Sequence, residues 1–130
     1  MTLPIMTAYA AAALGLIQII LTVTTGIARR KASISIGDGG NQELLYKIRR
    51  HGNFIETTPI FLILLGLLEG TGGPTLVVTF FALLFPLARI SHALGMAENG
   101  SLKPRIFGML STIISFLVLS ISLVWHLQSL

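Results

Sequence analysis

Apolar runs over about residues 3–28, 54–68, 75–96 and 106–127 alternate with short polar connections along this chain. Crossing hydrocarbon takes about 20 helical residues, and the first, third and fourth runs meet that length. The second run is short, so it predicts a helix that recruits the turn before it, polar side chains included. Leu44, Leu45, Ile48 and Ile55 carry an apolar stripe into it, Asn41 is placed to act as N-cap, and Glu43 falls in the first turn. Pro59 lies inside this helix, where it removes the bond to the carbonyl of Ile55 and predicts a kink just beyond Glu56. Gly37-Asp38-Gly39-Gly40, Gly70-Thr71-Gly72-Gly73-Pro74 and Asn99-Gly100 mark turns. The pattern predicts an all-α integral membrane protein: a single domain over residues 1–130, folded as a four-transmembrane-helix bundle.

Composition agrees. The chain is 53% hydrophobic and 11% charged, with mean hydropathy +0.84, whereas soluble domains average about 25% charged. A net charge of +4 raises the question of nucleic acid, but the basic residues sit in short loops between apolar runs. Topology and anionic headgroups account for them, and no nucleic-acid partner is expected. Arg29, Arg30, Lys31, Lys47, Arg49 and Arg50 lie between the first two runs, and Lys103 and Arg105 between the last two. The Gly70–Pro74 turn has no Lys or Arg. The positive-inside rule then places both basic loops in the cytoplasm and both termini outside. The first run lacks a basic n-region and ends at Arg29-Arg30-Lys31, so it reads as a spanning helix rather than a signal peptide. Within it, Ala8, Ala11, Ala12 and Gly15 form small-xxx-small pairs that favour close helix approach, although an Ala-rich helix explains them equally. There is no cysteine, which removes disulfides and thiolate chemistry from the protein itself.

The chemistry concentrates where the second run begins. Arg49, Asn53 and Glu56 stand at i, i+4 and i+7 and share one helical face. Polar groups near hydrocarbon are costly, a central Asp, Lys or Arg at roughly +2.5 to +3.5 kcal/mol on translocon scales, so they usually face a partner or a site. Glu56 lies about 4.5 Å beyond Asn53, and Arg89 about 10 Å from the end of the third run, at the helical rise. An Arg side chain that snorkels toward the interface would bring the two to similar depth. His92 follows Arg89 by one turn, and Arg105 opens the fourth run on the same side. Three helices are therefore expected to deliver Arg49, Asn53, Glu56, Arg89, His92 and Arg105 to one level. Blander readings stay open. Glu56 and Arg89 could form an ion pair that only fixes helix register, Arg50 could touch headgroups, and His92 could be a packing residue. Glu69 and Glu98 are expected to be solvated. His51, His92 and His126 are dispersed, so no metal site is expected. The glycine turn lacks the Gly-Lys-Ser/Thr of a phosphate-binding loop, and a proton-coupled transporter using Glu56 and His92 lacks broken-helix repeats.

Arg49-x-His51-x-Asn53-x-x-Glu56-x-x-Pro59, with Arg89-x-x-His92 on the third run, resembles the MAPEG family (membrane-associated proteins in eicosanoid and glutathione metabolism). Gly37-Asp38-Gly39-Gly40-Asn41 and Glu43-Leu44-Leu45 resemble its small bacterial branch, and the resemblance covers essentially the whole chain. It implies a homotrimer in the bacterial inner membrane that binds glutathione as co-substrate between subunits near the cytoplasmic face. Arg49, Asn53, Glu56, Arg89 and His92 are then the binding residues, and Arg105 the catalytic residue that stabilises the thiolate. The implied activity is that of a glutathione transferase or peroxidase-like enzyme acting on lipophilic small molecules. The alternative is a MAPEG-fold protein without catalysis, in a structural or interaction role. Thr57 and Met96 stand where many glutathione-binding relatives carry tyrosine, and Ile106 after Arg105 offers no hydroxyl.

The charge asymmetry makes a direct prediction. Reporter fusions after Ala32 and Asn99 should report a cytoplasmic location, and fusions after Gly72 and Leu130 an external one. A cytoplasmic signal from either of the latter two overturns the orientation.

Overall fold

A computed structural model describes residues 3–130 as α1 (Ile5–Ala32), α2 (Gln42–Gly70), α3 (Thr75–Gly95) and α4 (Leu102–Gln128). All four are long and apolar enough to cross a bilayer. The expected spans are recovered, with α2 lengthened by three turns of amphipathic helix before Phe54 and α1 continued through Arg29-Arg30-Lys31. Asn41 caps α2 as expected, its Oδ1 accepting from the Leu44 amide at 2.9 Å. The preceding turn uses glycines where the backbone demands them: Gly37, Gly39 and Gly40 all have positive φ. Pro59 sits inside α2 without ending it.

The helices are arranged cyclically as α1–α2–α4–α3. Every helix pair touches except α1 and α4, and α2 meets α3 across the short diagonal. Association in lipid does not gain from excluding water, so packing and internal hydrogen bonds must hold the bundle. Phe61 and Phe85 stack across that diagonal with centroids 3.8 Å apart, and Phe116 of α4 extends the column at 6.4 Å from Phe85. Leu14, Leu65, Leu68, Val78 and Leu119 pack around it. Helix α4 is inverted relative to a soluble amphipathic helix. Its buried face carries Gly108, Ser111, Thr112, Ser115 and Leu119, while Ile113, Ile114, Leu117 and Ile121 face outward. The inward hydroxyls satisfy themselves on the preceding turn, Thr112 donating to the Gly108 carbonyl at 2.8 Å and Ser115 to that of Ser111 at 2.6 Å. Small residues on that face let α3 approach closely.

The small-residue face of α1 behaves differently from the simplest expectation. Ala8, Ala12 and Gly15 are exposed, and α1 packs within the subunit through Ala10, Leu14 and Leu21. Glu69 is also not left to solvent. Helix α1 begins after Pro4 and has no side-chain cap of its own. The Glu69 carboxylate, at the far end of α2, accepts from the Met6 amide at 2.8 Å and from the Thr7 amide and hydroxyl at 2.7 Å each. A negative charge on unpaired amides at a helix N-terminus is favourable, so one residue both caps α1 and ties it to α2. At the same end of the bundle His126 Nε2 lies 3.0 Å from the Thr71 carbonyl. A carbonyl only accepts, so this nitrogen carries the hydrogen and joins α4 to the α2–α3 turn.

Removing the interhelical cap should be measurable. Glu69→Ala is expected to destabilise the protein by about 1–2 kcal/mol, the range for loss of a helix cap. Thermal unfolding in detergent should register the loss, with faster hydrogen exchange at Met6 and Thr7. Unchanged exchange at those amides contradicts the assignment.

Candidate functional site

Arg89 is the centre of the polar cluster. It lies on α3 with only 2% of its surface exposed, so it does not snorkel to the interface. Its partners are inside the bundle. Nη1 donates to Asn53 Oδ1 at 2.6 Å and, at the limit of hydrogen bonding, to Thr57 Oγ1 at 3.5 Å. Nη2 donates to the Gly108 carbonyl at 2.6 Å and to the Thr112 hydroxyl. The guanidinium carbon lies 5.4 Å from the centroid of Phe85, the ring shared by both stacks of the aromatic column. A guanidinium has five N–H donors and no acceptor. Four are taken up here, leaving Nε without a partner. One side chain thus links α2, α3 and α4 by hydrogen bonds to neutral acceptors.

The Glu56–Arg89 ion pair, one of the alternatives left open by the sequence, does not form. Among the described residues the side-chain salt bridge present is Lys47–Glu43 at 2.6 Å, an i,i+4 pair on exposed helix surface. Glu56 and Arg49 both lie on the exposed side of α2, and neither makes a hydrogen bond with another described residue. Asn53, between them, is half-buried and turns its oxygen inward to Arg89. Thr57, one turn further, donates to the Asn53 carbonyl at 2.8 Å and so closes the helix at this point. Arg50 turns to α1, donating to Thr24 Oγ1 at 3.3 Å rather than reaching for headgroups alone. His51 meets Gln18 at 2.9 Å and Thr22 at 3.2 Å, a second polar link between α1 and α2.

His92 is buried, with 7% of its surface exposed, one turn from Arg89 and packed on α4. A Cβ at Gly108 would lie 2.5 Å from the His92 Cβ and 2.6 Å from the Ala88 carbonyl, so only glycine permits this approach. Gly95 plays the same part against the backbone of Arg105, where an added Cβ would fall 2.7 Å from its nitrogen. Ser91 Oγ donates to the Pro104 carbonyl at 3.1 Å, holding the start of α4 beside the end of α3. Arg105 itself is exposed in the first turn of α4. Direct contact therefore joins Asn53 to Arg89. Arg49, Glu56 and Arg105 sit on open surface at the same basic end of the bundle, and His92 lies between α3 and α4. Gly108 and Thr112 complete the site without having been expected from sequence; their i,i+4 spacing on the inward face of α4 was the available signal. No group of acidic or histidine side chains that could hold a metal occurs among the described residues.

An apolar groove of about 460 Å³ runs between α1 and α3, bounded by Met6, Ala10, Ile17, Ala82, Pro86 and Ile90 among others, and none of the polar residues above lines it. The profile of the MAPEG family matches residues 7–125, a span that includes every residue of the cluster. The chain is also similar to the inner membrane protein YecN of Escherichia coli strain K12, 29% identical over 99 residues that cover 76% of this chain and 75% of the relative. YecN of Escherichia coli O6:H1 matches to the same extent.

The clamp around Arg89 carries a stability prediction. Arg89→Ala removes charge-assisted bonds to Asn53, Gly108 and Thr112; such bonds contribute roughly 1.5–3 kcal/mol each, and here they do not simply add, because the buried charge is removed with them. A net loss of about 2–4 kcal/mol is expected, with a large fall in midpoint temperature. Gly108→Val should be similarly damaging by forcing α3 and α4 apart. An Arg89→Ala protein as stable as wild type contradicts the clamp.

Proposed function

The chain belongs to the MAPEG family, and from that premise we propose that it is a membrane-bound glutathione-binding protein that conjugates or reduces lipophilic electrophiles. The supporting observation is the face of α2: Arg49 and Glu56 are charged, exposed, unpartnered among the described residues and spaced around Asn53. Two uncompensated charges beside hydrocarbon call for a polar partner. Glutathione supplies one. Arg49 takes a carboxylate as a bidentate partner, Glu56 takes the ammonium, and Asn53 pairs with the peptide's polar groups. A second copy of the chain would roof this face, which favours a homotrimer with the ligand between subunits. The similarity to an inner membrane protein favours the same location here, with the basic end of the bundle in the cytoplasm.

Arg105 is assigned the thiol. A thiol with an ordinary pKa of about 8.5 is only a few per cent ionised at pH 7. A guanidinium nearby favours the thiolate, and the amides in the first turn of α4 add positive potential on the same side. In conjugation the thiolate sulfur bonds to the electrophilic carbon, and the displaced group leaves with the electron pair. In reduction of a peroxide the sulfur takes one oxygen, the other leaves as alcohol after protonation, and a second glutathione closes the disulfide with loss of water. An acceptor dissolved in the bilayer reaches such a site laterally, which gives the membrane location a chemical purpose.

A purely structural role is the competing reading, favoured by one observation: the hydrogen bonds of Arg89 run to groups of the chain itself. Calorimetric titration of the purified protein with glutathione separates the two. Binding by wild type is expected, with at least a tenfold loss in Arg49→Ala and in Glu56→Ala while both remain folded. Thiolate absorbance on glutathione addition should fall in Arg105→Ala. No binding by the folded wild type contradicts the proposal and leaves the structural role.

A further inference from the structure

An asparagine side chain can face a ligand with its oxygen, an acceptor, or with its nitrogen, which has two donors. Sequence position does not decide between them. Arg89 does. Its guanidinium has donors only, so the contact at 2.6 Å must be made by Asn53 Oδ1; a rotated amide would set donor against donor. Arg89 is in turn immobilised by the Gly108 carbonyl and the Thr112 hydroxyl on α4. The Asn53 backbone is held by the Thr57 hydroxyl at 2.8 Å. The Asn53 nitrogen makes no hydrogen bond with any described residue. Pairing the oxygen with a cation also polarises the amide and strengthens its free N–H groups as donors.

We infer that Arg89 is a positioning residue that fixes Asn53 as an obligatory donor, so that the ligand group meeting Asn53 is an acceptor oxygen, a carboxylate or a carbonyl. The inference rests on the proposed glutathione site and adds to it a direction that neither the motif nor the fold supplies. Along α2 the chemistry then reads donor at Arg49, donor at Asn53, acceptor at Glu56. A ligand that placed an ammonium against Asn53 would meet two N–H groups and be rejected.

Asn53→Asp tests this. The aspartate keeps an oxygen for Arg89 and replaces the donor nitrogen by a second acceptor. The variant should unfold at or above the wild-type temperature, because its bond to Arg89 becomes an ion pair. Its affinity for glutathione should nevertheless fall at least tenfold. Asn53→Leu, which removes both functions, should lose binding and also unfold at a clearly lower temperature. If wild type binds and Asn53→Asp binds within threefold of it, the donor assignment is overturned while the glutathione site stands. If Asn53→Asp is destabilised as much as Asn53→Leu, the tie between Arg89 and the Asn53 oxygen is overturned. A folded wild type that takes up no glutathione removes the site itself, and this inference with it.

Discussion

The structure depends on one buried charge. Arg89 brings a guanidinium into the middle of the bundle, where α2, α3 and α4 otherwise meet through aromatic rings, aliphatic side chains and small residues. A charge at that depth is tolerated only if its donors are used, and they are used by α2 and α4 rather than by a carboxylate. Since the acceptors are neutral, the site keeps the full positive charge of Arg89 beside Asn53. The same bonds that satisfy the arginine also hold the Asn53 side chain in place. Stability and site geometry share one set of contacts.

Around that centre the bundle follows the logic of packing in lipid. The outward surface is largely apolar, and Thr112 and Ser115 of α4 point inward and close on their own helix. Gly108 and Gly95 hold α4 against α3 closely enough to bring the Gly108 carbonyl within reach of Arg89. The opposite end is held by Glu69 on the amides of α1 and by His126 on the α2–α3 turn. Between these two polar ends the Phe61–Phe85–Phe116 column needs only shape to pack well. Exposed Ala8, Ala12 and Gly15 leave α1 with a smooth outer face, suited to close approach by another helix.

Much of this was legible in the sequence. Run lengths and glycine turns located the helices, and Asn41 marked the start of α2 through a local bond that spacing alone predicts. The polar face of α2 was visible because Arg49, Asn53 and Glu56 obey helical periodicity. The hidden part was tertiary. From the sequence, a snorkelling Arg89 is what brings it level with Glu56; its actual acceptors include the backbone carbonyl of Gly108, which no side-chain pattern announces. The Glu56–Arg89 pair failed because Asn53 and Thr112 stand nearer, and hydrogen bonds to them cost less desolvation than burying a second charge. Glu69 was placed in solvent because the uncapped start of α1 lies some sixty positions away in sequence; a proline in place of a capping residue at position 4 was the clue. Among the small residues of α1, spacing gave a face but not whether that face looks inward.

Crystal structures of the protein grown from a lipidic phase, with and without glutathione, test the central claim most directly. The fixed role of Arg89 requires its guanidinium to stay on the Asn53 oxygen and the Gly108 carbonyl in both, with the ligand confined to Arg49, Asn53, Glu56 and Arg105. An Arg89 side chain that leaves the Gly108 carbonyl and swings onto the bound ligand would contradict it.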